Sequence, residues 1–154
     1  MKRRNIVLLA VGIVPIITGW LCNVLFMSAP GVSSFLMLCS PWIWFAVCIA
    51  AADRKGKVVT QSLLLLAVGI VMIVLYFCYQ NFWVDTVSIF SPLNTWPQYY
   101  LGNWAIISAR IYALFDPRVI SSGPIYCISV VLSVVFTFAG VFIKTRFKNV
   151  ERDF

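Results

Sequence analysis

The sequence predicts an all-α integral membrane protein, a four-transmembrane-helix bundle with an extracytoplasmic interfacial helix between helices 3 and 4. Three observations predict this fold class: a very apolar composition, four long uncharged runs, and a one-sided distribution of basic residues. Hydrophobic residues make up 62% of the chain and charged residues 11%, whereas soluble domains contain about 45–50% and about 25% of these classes. The polar residues are too few to cover a water-soluble globule.

Four apolar runs are long enough to cross the hydrocarbon core of a bilayer, which takes about 20 residues of helix. We predict spans over residues 6–27, 35–52, 62–79 and 125–143, so that the whole chain forms a single membrane domain. The first run is longer than the roughly 7–15 apolar residues of a signal-peptide core. We therefore expect it to remain as the first helix. Pro41 lies inside the second span and predicts a kink there.

Two stretches that contain proline predict turns. Residues 28–34 include the pair Pro30-Gly31, and residues 91–97 include two prolines. Proline and glycine commonly interrupt regular structure and mark turns. We therefore expect the helices to stop at both stretches.

Ten of the twelve basic residues fall on one side of the four-span arrangement. They lie before the first span, in the connection 53–61 and after the fourth span, whereas Arg110 and Arg118 fall on the other side. Cytoplasmic connections of membrane proteins carry an excess of Lys and Arg. We therefore expect a protein of the cell (plasma) membrane with both termini in the cytoplasm. The net charge of +7 then reflects topology and attraction to anionic lipid heads, and we expect no nucleic-acid partner.

The longest stretch that fits no span is an aromatic outer segment, residues 79–124, which holds three of the six tryptophans. Within it, apolar residues recur every three or four positions over 101–115, which predicts an amphipathic helix. Asn103 and Arg110 share its polar side. This helix is too short and too polar to cross the bilayer, so we expect it to lie at the membrane interface, across the outer mouth of the bundle.

Polar, aromatic and basic residues near the outer side are the candidate contacts for a partner or ligand. These candidates are Asn23, Gln80, Asn81, Trp83, Trp96, Trp104 and Arg110. Hydroxyl groups inside the spans predict hydrogen bonds between helices. They belong to Ser40, Ser129, Ser133 and Thr137.

Four of the five cysteines lie near the outer end of a different span, and these four are the candidate disulfide cysteines. They are Cys22, Cys39, Cys78 and Cys127. The alternative is that the thiols pack as small apolar groups. A soft metal such as Cu(I) is a third possibility, but no Cys-x-x-Cys pair occurs and we predict no metal site.

The residue needed for histidine-based catalysis is missing. The chain contains no histidine, which excludes His-based proton relays and Ser-His or Cys-His nucleophile pairs. No charged side chain lies inside a predicted span, which argues against a proton-coupled carrier. Asp85 and Asp116 are the candidate residues for a carboxylate pair. We expect no enzyme, no catalytic residue and no cofactor.

Two classes of function remain. The first is a protein that acts through interaction, as an accessory subunit, assembly factor or immunity-type protector of a larger membrane system. The second is a small transporter or channel component for an uncharged or lipophilic solute. The expected partners are the lipid bilayer and either another membrane protein or a second copy of the chain. The absence of charge inside the spans favours the first class.

Overall fold

The computed structural model of the chain describes residues 3–83, 92–115 and 122–146, and nearly all of these residues are helical. The helices are α1 (Arg3–Val11), α2 (Val14–Ser28), α3 (Pro30–Ala51), α4 (Val58–Cys78), α5 (Pro92–Ala113) and α6 (Ser122–Arg146). A π-helical turn, Tyr79–Trp83, extends α4.

Four helical stretches of the described residues are long and apolar enough to cross a membrane. They are Arg4–Ser28, Pro30–Ala51, Val58–Asn81 and Gly123–Arg146. The prediction of four such helices is therefore confirmed at the level of length and composition. The helices α3 and α4 each begin about one turn earlier than the sequence indicated.

The predicted break at 28–34 is confirmed but is confined to Ala29, and the turn predicted over 91–97 is wrong because residues 92–97 are helical; proline begins a helix at both places. Only Ala29 separates α2 from α3, and Pro30 is the first residue of α3. At that position the missing N–H costs no hydrogen bond and the fixed φ of proline suits a helix. The helix α5 likewise begins at Pro92 and continues through Pro97.

The helix α3 also continues through Pro41. Proline removes the N–H that would bond to the carbonyl four residues earlier, which here belongs to Met37. The Ser40 hydroxyl lies 3.0 Å from this carbonyl and 2.6 Å from the Asn103 carbonyl, and its single proton is shared between the two acceptors. The side chain thus replaces the missing backbone donor only in part, and α3 continues past Pro41.

The first apolar run forms two helices because it breaks at Gly12 and Ile13. Pro15 lies in the first turn of α2 and cannot continue the backbone pattern of α1. A Cβ atom on Gly12 would lie 2.8 Å from the Leu65 carbonyl oxygen, so glycine allows α1 and α4 to touch at the break.

The ends of the helices that carry most of the basic residues lie together. One buried cluster joins α1, α3 and the residue after it, α4, α5 and α6; its members are Leu8, Trp44, Cys48, Ala52, Leu65, Trp104 and Val141. An ion pair between Arg4 and Asp53 connects α1 to the loop after α3. The arrangement agrees with the predicted grouping of basic residues at one end.

The helix α5 packs against α2, α3, α4 and α6. A Cβ atom on Gly19 would overlap the Tyr99 carbonyl oxygen, so the backbones of α2 and α5 come into direct contact there. The helix predicted over 101–115 therefore exists but begins earlier, at Pro92. Its contacts reach the middle of its neighbours as well as their ends, and its location at a membrane interface stays a prediction.

Candidate functional site

An open apolar groove of about 550 Å³ lies between α1–α2 and α4, with α5 contributing one wall. This volume falls within the range of about 300–1,000 Å³ that is usual for ligand sites. The accessible surface of the groove is entirely apolar. Its lining residues are Leu9, Ile13, Ile16, Ala67, Val68, Val71, Met72 and Trp96.

The break between α1 and α2 explains why the groove forms here. The helix α1 packs on α4, whereas α2 packs mainly on α3 and α5. The chain therefore leaves α4 at Gly12, and α5 contacts both α2 and α4 beyond that point. The space that α5 does not fill is the groove.

A second cavity of about 160 Å³ extends the groove along α2. It shares Ile16 and Trp96 with the groove and adds Ile17, Trp20 and Tyr99. We call the two together the lateral groove. Trp20 and Trp96 are 51% and 52% exposed, and aromatic side chains of this kind are enriched in protein interfaces.

The structure places the predicted contact residues in different surroundings, and their role as contacts stays a prediction. Trp96 lines the lateral groove, whereas Trp104 is buried in the core and is 1% exposed. The exposed polar candidates are Asn23, Gln80, Asn81 and Arg110. The backbone of Trp83 belongs to the π-helical turn, but its side chain lies outside the described residues.

Asn103 joins three helices in the middle of the bundle. Its side-chain amide donates to the Pro15 carbonyl on α2, and the Thr18 hydroxyl donates to Asn103 Oδ1 at 3.0 Å. The Ser40 hydroxyl on α3 donates to the Asn103 backbone carbonyl at 2.6 Å. The sequence placed Asn103 on one side of the helix with Arg110, and in the structure Asn103 is buried whereas Arg110 is exposed. Its partners on α2 and α3 lie 63 to 88 positions away in the chain, so local periodicity could not reveal them.

The predicted hydrogen bonds between helices are confirmed for several hydroxyl groups. Ser129 on α6 and Ser108 on α5 have their hydroxyl oxygens 2.8 Å apart. Trp44 Nε1 on α3 donates to the Thr137 hydroxyl on α6, also at 2.8 Å. These bonds fix α6 against both α3 and α5.

All five cysteine thiols are free in this structure. Cys22 and Cys48 are buried, Cys39 and Cys78 are partly buried, and Cys127 is exposed. Disulfide pairing among the four candidate cysteines therefore stays a prediction.

At the basic end of the bundle, the loop after α3 is held by Gln61. Its Nε2 donates to the Asp53 carbonyl at 3.0 Å, and the Asp53 N–H donates to Gln61 Oε1 at 2.6 Å. Gln61 is buried, and Asp53 pairs with Arg4. This end of the protein is therefore tied to α1 and α4 by polar contacts.

The chemistry that the lateral groove offers is apolar contact. Across residues 3–83, 92–115 and 122–146, no group of three or more His, Cys, Asp or Glu side chains is placed to hold a metal ion. Comparison of the chain with family models, curated proteins and solved structures found no match. The geometry of the chain itself therefore carries the functional interpretation.

Proposed function

We propose that this protein acts through interaction in a cell membrane, as an accessory subunit, assembly factor or immunity-type protector of a larger membrane system. The observation that carries the proposal is the lateral groove, whose wall is apolar and includes two half-exposed tryptophans. Its occupant in the proposal is an apolar transmembrane helix of a partner protein.

The physical reason is packing. Lipid tails are as apolar as leucine, so helices in a bilayer associate through van der Waals contact and not through the hydrophobic effect. Flexible lipid tails fill a concave groove poorly, so some of the possible van der Waals contacts with its wall are not made. A helix that matches the groove supplies those contacts, and tryptophan is among the residue types that are enriched at the energetic hot spots of protein–protein interfaces.

The orientation is also part of the proposal. The helix ends that carry most of the basic residues lie together, and we place that end in the cytoplasm by the positive-inside rule. A reporter that works only in the cytoplasm should then be active when it is fused after Phe154, and a reporter that works only outside should be inactive there. A reporter that is active outside would overturn this orientation.

Site-specific photo-cross-linking in native membranes tests the proposed function. A photoreactive residue replaces Val71, which lines the groove and is 53% exposed. The matched control replaces Val131 on α6, which is 59% exposed and lies outside the groove. We expect a discrete protein adduct from position 71 that is absent from position 131 and is lost when Trp96→Ala is added.

A second candidate function, binding of an uncharged or lipophilic solute for transport, is favoured by the same volume and apolar wall. Solute binding predicts a different product of photo-cross-linking. An adduct of small mass at position 71, with no protein adduct, would favour the solute and contradict the partner helix. Identical adduct patterns at positions 71 and 131 would contradict both.

A further inference from the structure

Trp104 carries a buried donor without an acceptor. The residue is 1% exposed, and its Nε1–H has no hydrogen-bond partner among the residues that the structure describes. Buried N–H groups are nearly always paired, so an unpaired one needs a physical explanation. Trp44, which is 3% exposed, has the ordinary arrangement, because its Nε1 donates to Thr137.

A small cavity of about 10 Å³ lies beside the Trp104 ring, between α2, α3 and α5. Its polar lining comes from Thr18, Ser40 and Asn103, and apolar side chains complete the wall. A volume of about 10–15 Å³ by this measure holds one water molecule, provided that two to four polar partners surround it.

The hydrogen bonds around the cavity leave acceptors unused. The Thr18 hydroxyl donates its single proton to an acceptor such as Asn103 Oδ1, and the Ser40 hydroxyl donates to the Asn103 carbonyl. Each hydroxyl oxygen also has two acceptor lone pairs. Within the described part of the chain, no donor is bonded to either oxygen. The cavity is thus lined by Trp104, whose Nε1–H lacks an acceptor, and by Thr18 and Ser40, whose hydroxyl oxygens have acceptor capacity left.

We infer that this cavity binds one internal water molecule, which accepts a hydrogen bond from Trp104 Nε1 and donates to the hydroxyl oxygens of Thr18 and Ser40. The water then makes three hydrogen bonds, which is typical of buried water in proteins. It connects α2, α3 and α5 at the point where Asn103 already joins them. The site is separate from the lateral groove and independent of the proposed partner.

The inference is tested by NMR on the full-length protein in detergent micelles, with ¹⁵N-labelled tryptophan. Trp104→Phe keeps the ring packing, removes one indole signal and so assigns it. We expect a water cross-peak at the Trp104 indole N–H in rotating-frame Overhauser spectra, although the side chain is buried. The internal control is the indole N–H of Trp44. The Trp44 ring also lines the cavity, but its N–H donates to the Thr137 hydroxyl, so its signal reports magnetisation that reaches an indole from bulk water through hydroxyl exchange.

A cross-peak at Trp104 with none at Trp44 supports the bound water. Absence of the Trp104 cross-peak, or equal cross-peaks at both indoles, overturns it. Thr18→Val, which keeps the shape of the side chain, should reduce the Trp104 cross-peak at least twofold because it removes one acceptor. Thr137→Val should leave it unchanged, and an unchanged cross-peak in Thr18→Val would contradict the assigned position of the water.

Discussion

Trp96 and Trp104 lie on the same helix, yet they occupy opposite surroundings. Trp96 is 52% exposed in the lateral groove, whereas Trp104 is 1% exposed and its ring centroid lies 5.7 Å from that of Phe136. Around Trp104, α5 is enclosed by its neighbours and joined to them by hydrogen bonds. Around Trp96, the chain has left α4 at Gly12 and the bundle stays open.

The comparison teaches that residue type does not decide which part of α5 is structural and which part is available for binding. The decisive factor is whether neighbouring helices meet around the side chain. Two consequences follow: substitutions around Trp104 should affect stability, and substitutions around Trp96 should affect binding.

The largest expected effect separates the two tryptophans directly. Trp104→Ala should lower the free energy of unfolding by about 3–5 kcal/mol, because it leaves a cavity in a packed core. Trp96→Ala should cost about 1 kcal/mol or less, because half of the side chain is already exposed. The measurement is reversible unfolding of each variant in detergent, followed by circular dichroism. Equal losses for the two variants would contradict the distinction between core and groove.

A smaller effect is expected where the backbones of α2 and α5 touch. Gly19→Ala should destabilise the protein by about 1–3 kcal/mol, because the added methyl group overlaps the rigid Tyr99 carbonyl. The control is Gly102→Ala on α5, where an added Cβ meets nothing within 4 Å. That variant should be neutral or up to about 1 kcal/mol more stable, since alanine favours a helix over glycine. If Gly19→Ala unfolds at the same denaturant concentration as Gly102→Ala, the close contact is absent.

The smallest expected effect concerns hydrogen bonds in the enclosed part of α5. Asn103→Leu removes two side-chain bonds to α2, and Ser108→Ala removes one bond to α6. Bonds between helices in membranes average about 0.6 kcal/mol, so the losses should be about 1 and about 0.6 kcal/mol. The measurement is the free energy of unfolding of each variant in detergent, and the two losses are then compared. A larger loss for Ser108→Ala would show that Asn103 is not the main polar connection.

The sequence predicted the helices that long apolar runs specify, because run length and the absence of charge are local properties. It could not predict where α5 packs. Periodicity predicted a helix that continues to residue 115, but α5 ends at Ala113, and Leu114 and Phe115 beyond it are 82% and 81% exposed, whereas Asn103 within the helix is buried. Asn103 is buried because Pro15 and Thr18 supply partners from a distant part of the chain.

The lateral groove could not be predicted from the sequence either, for a related reason. It depends on the break at Gly12 and on the direction in which α2 leaves α4. The first apolar run reads as one continuous span, and Pro15 gives no sign of which neighbour the chain turns towards. The hydroxyl groups of α6 were easier to predict, since Ser129, Ser133 and Thr137 repeat every four positions along one helix face.

The most direct test of the central claim, that α5 packs inside a bundle of four apolar helices, is a disulfide between α5 and α6. In a variant without native cysteines, Ser108→Cys and Ser129→Cys replace two hydroxyl groups whose oxygens lie 2.8 Å apart. The control pairs Ser108→Cys with Thr145→Cys, about 24 Å further along α6 at 1.5 Å per residue. We predict an intramolecular disulfide in membranes for the first pair and none for the control. Failure of the first pair to cross-link, with both thiols still reactive after solubilisation, would contradict this position of α5.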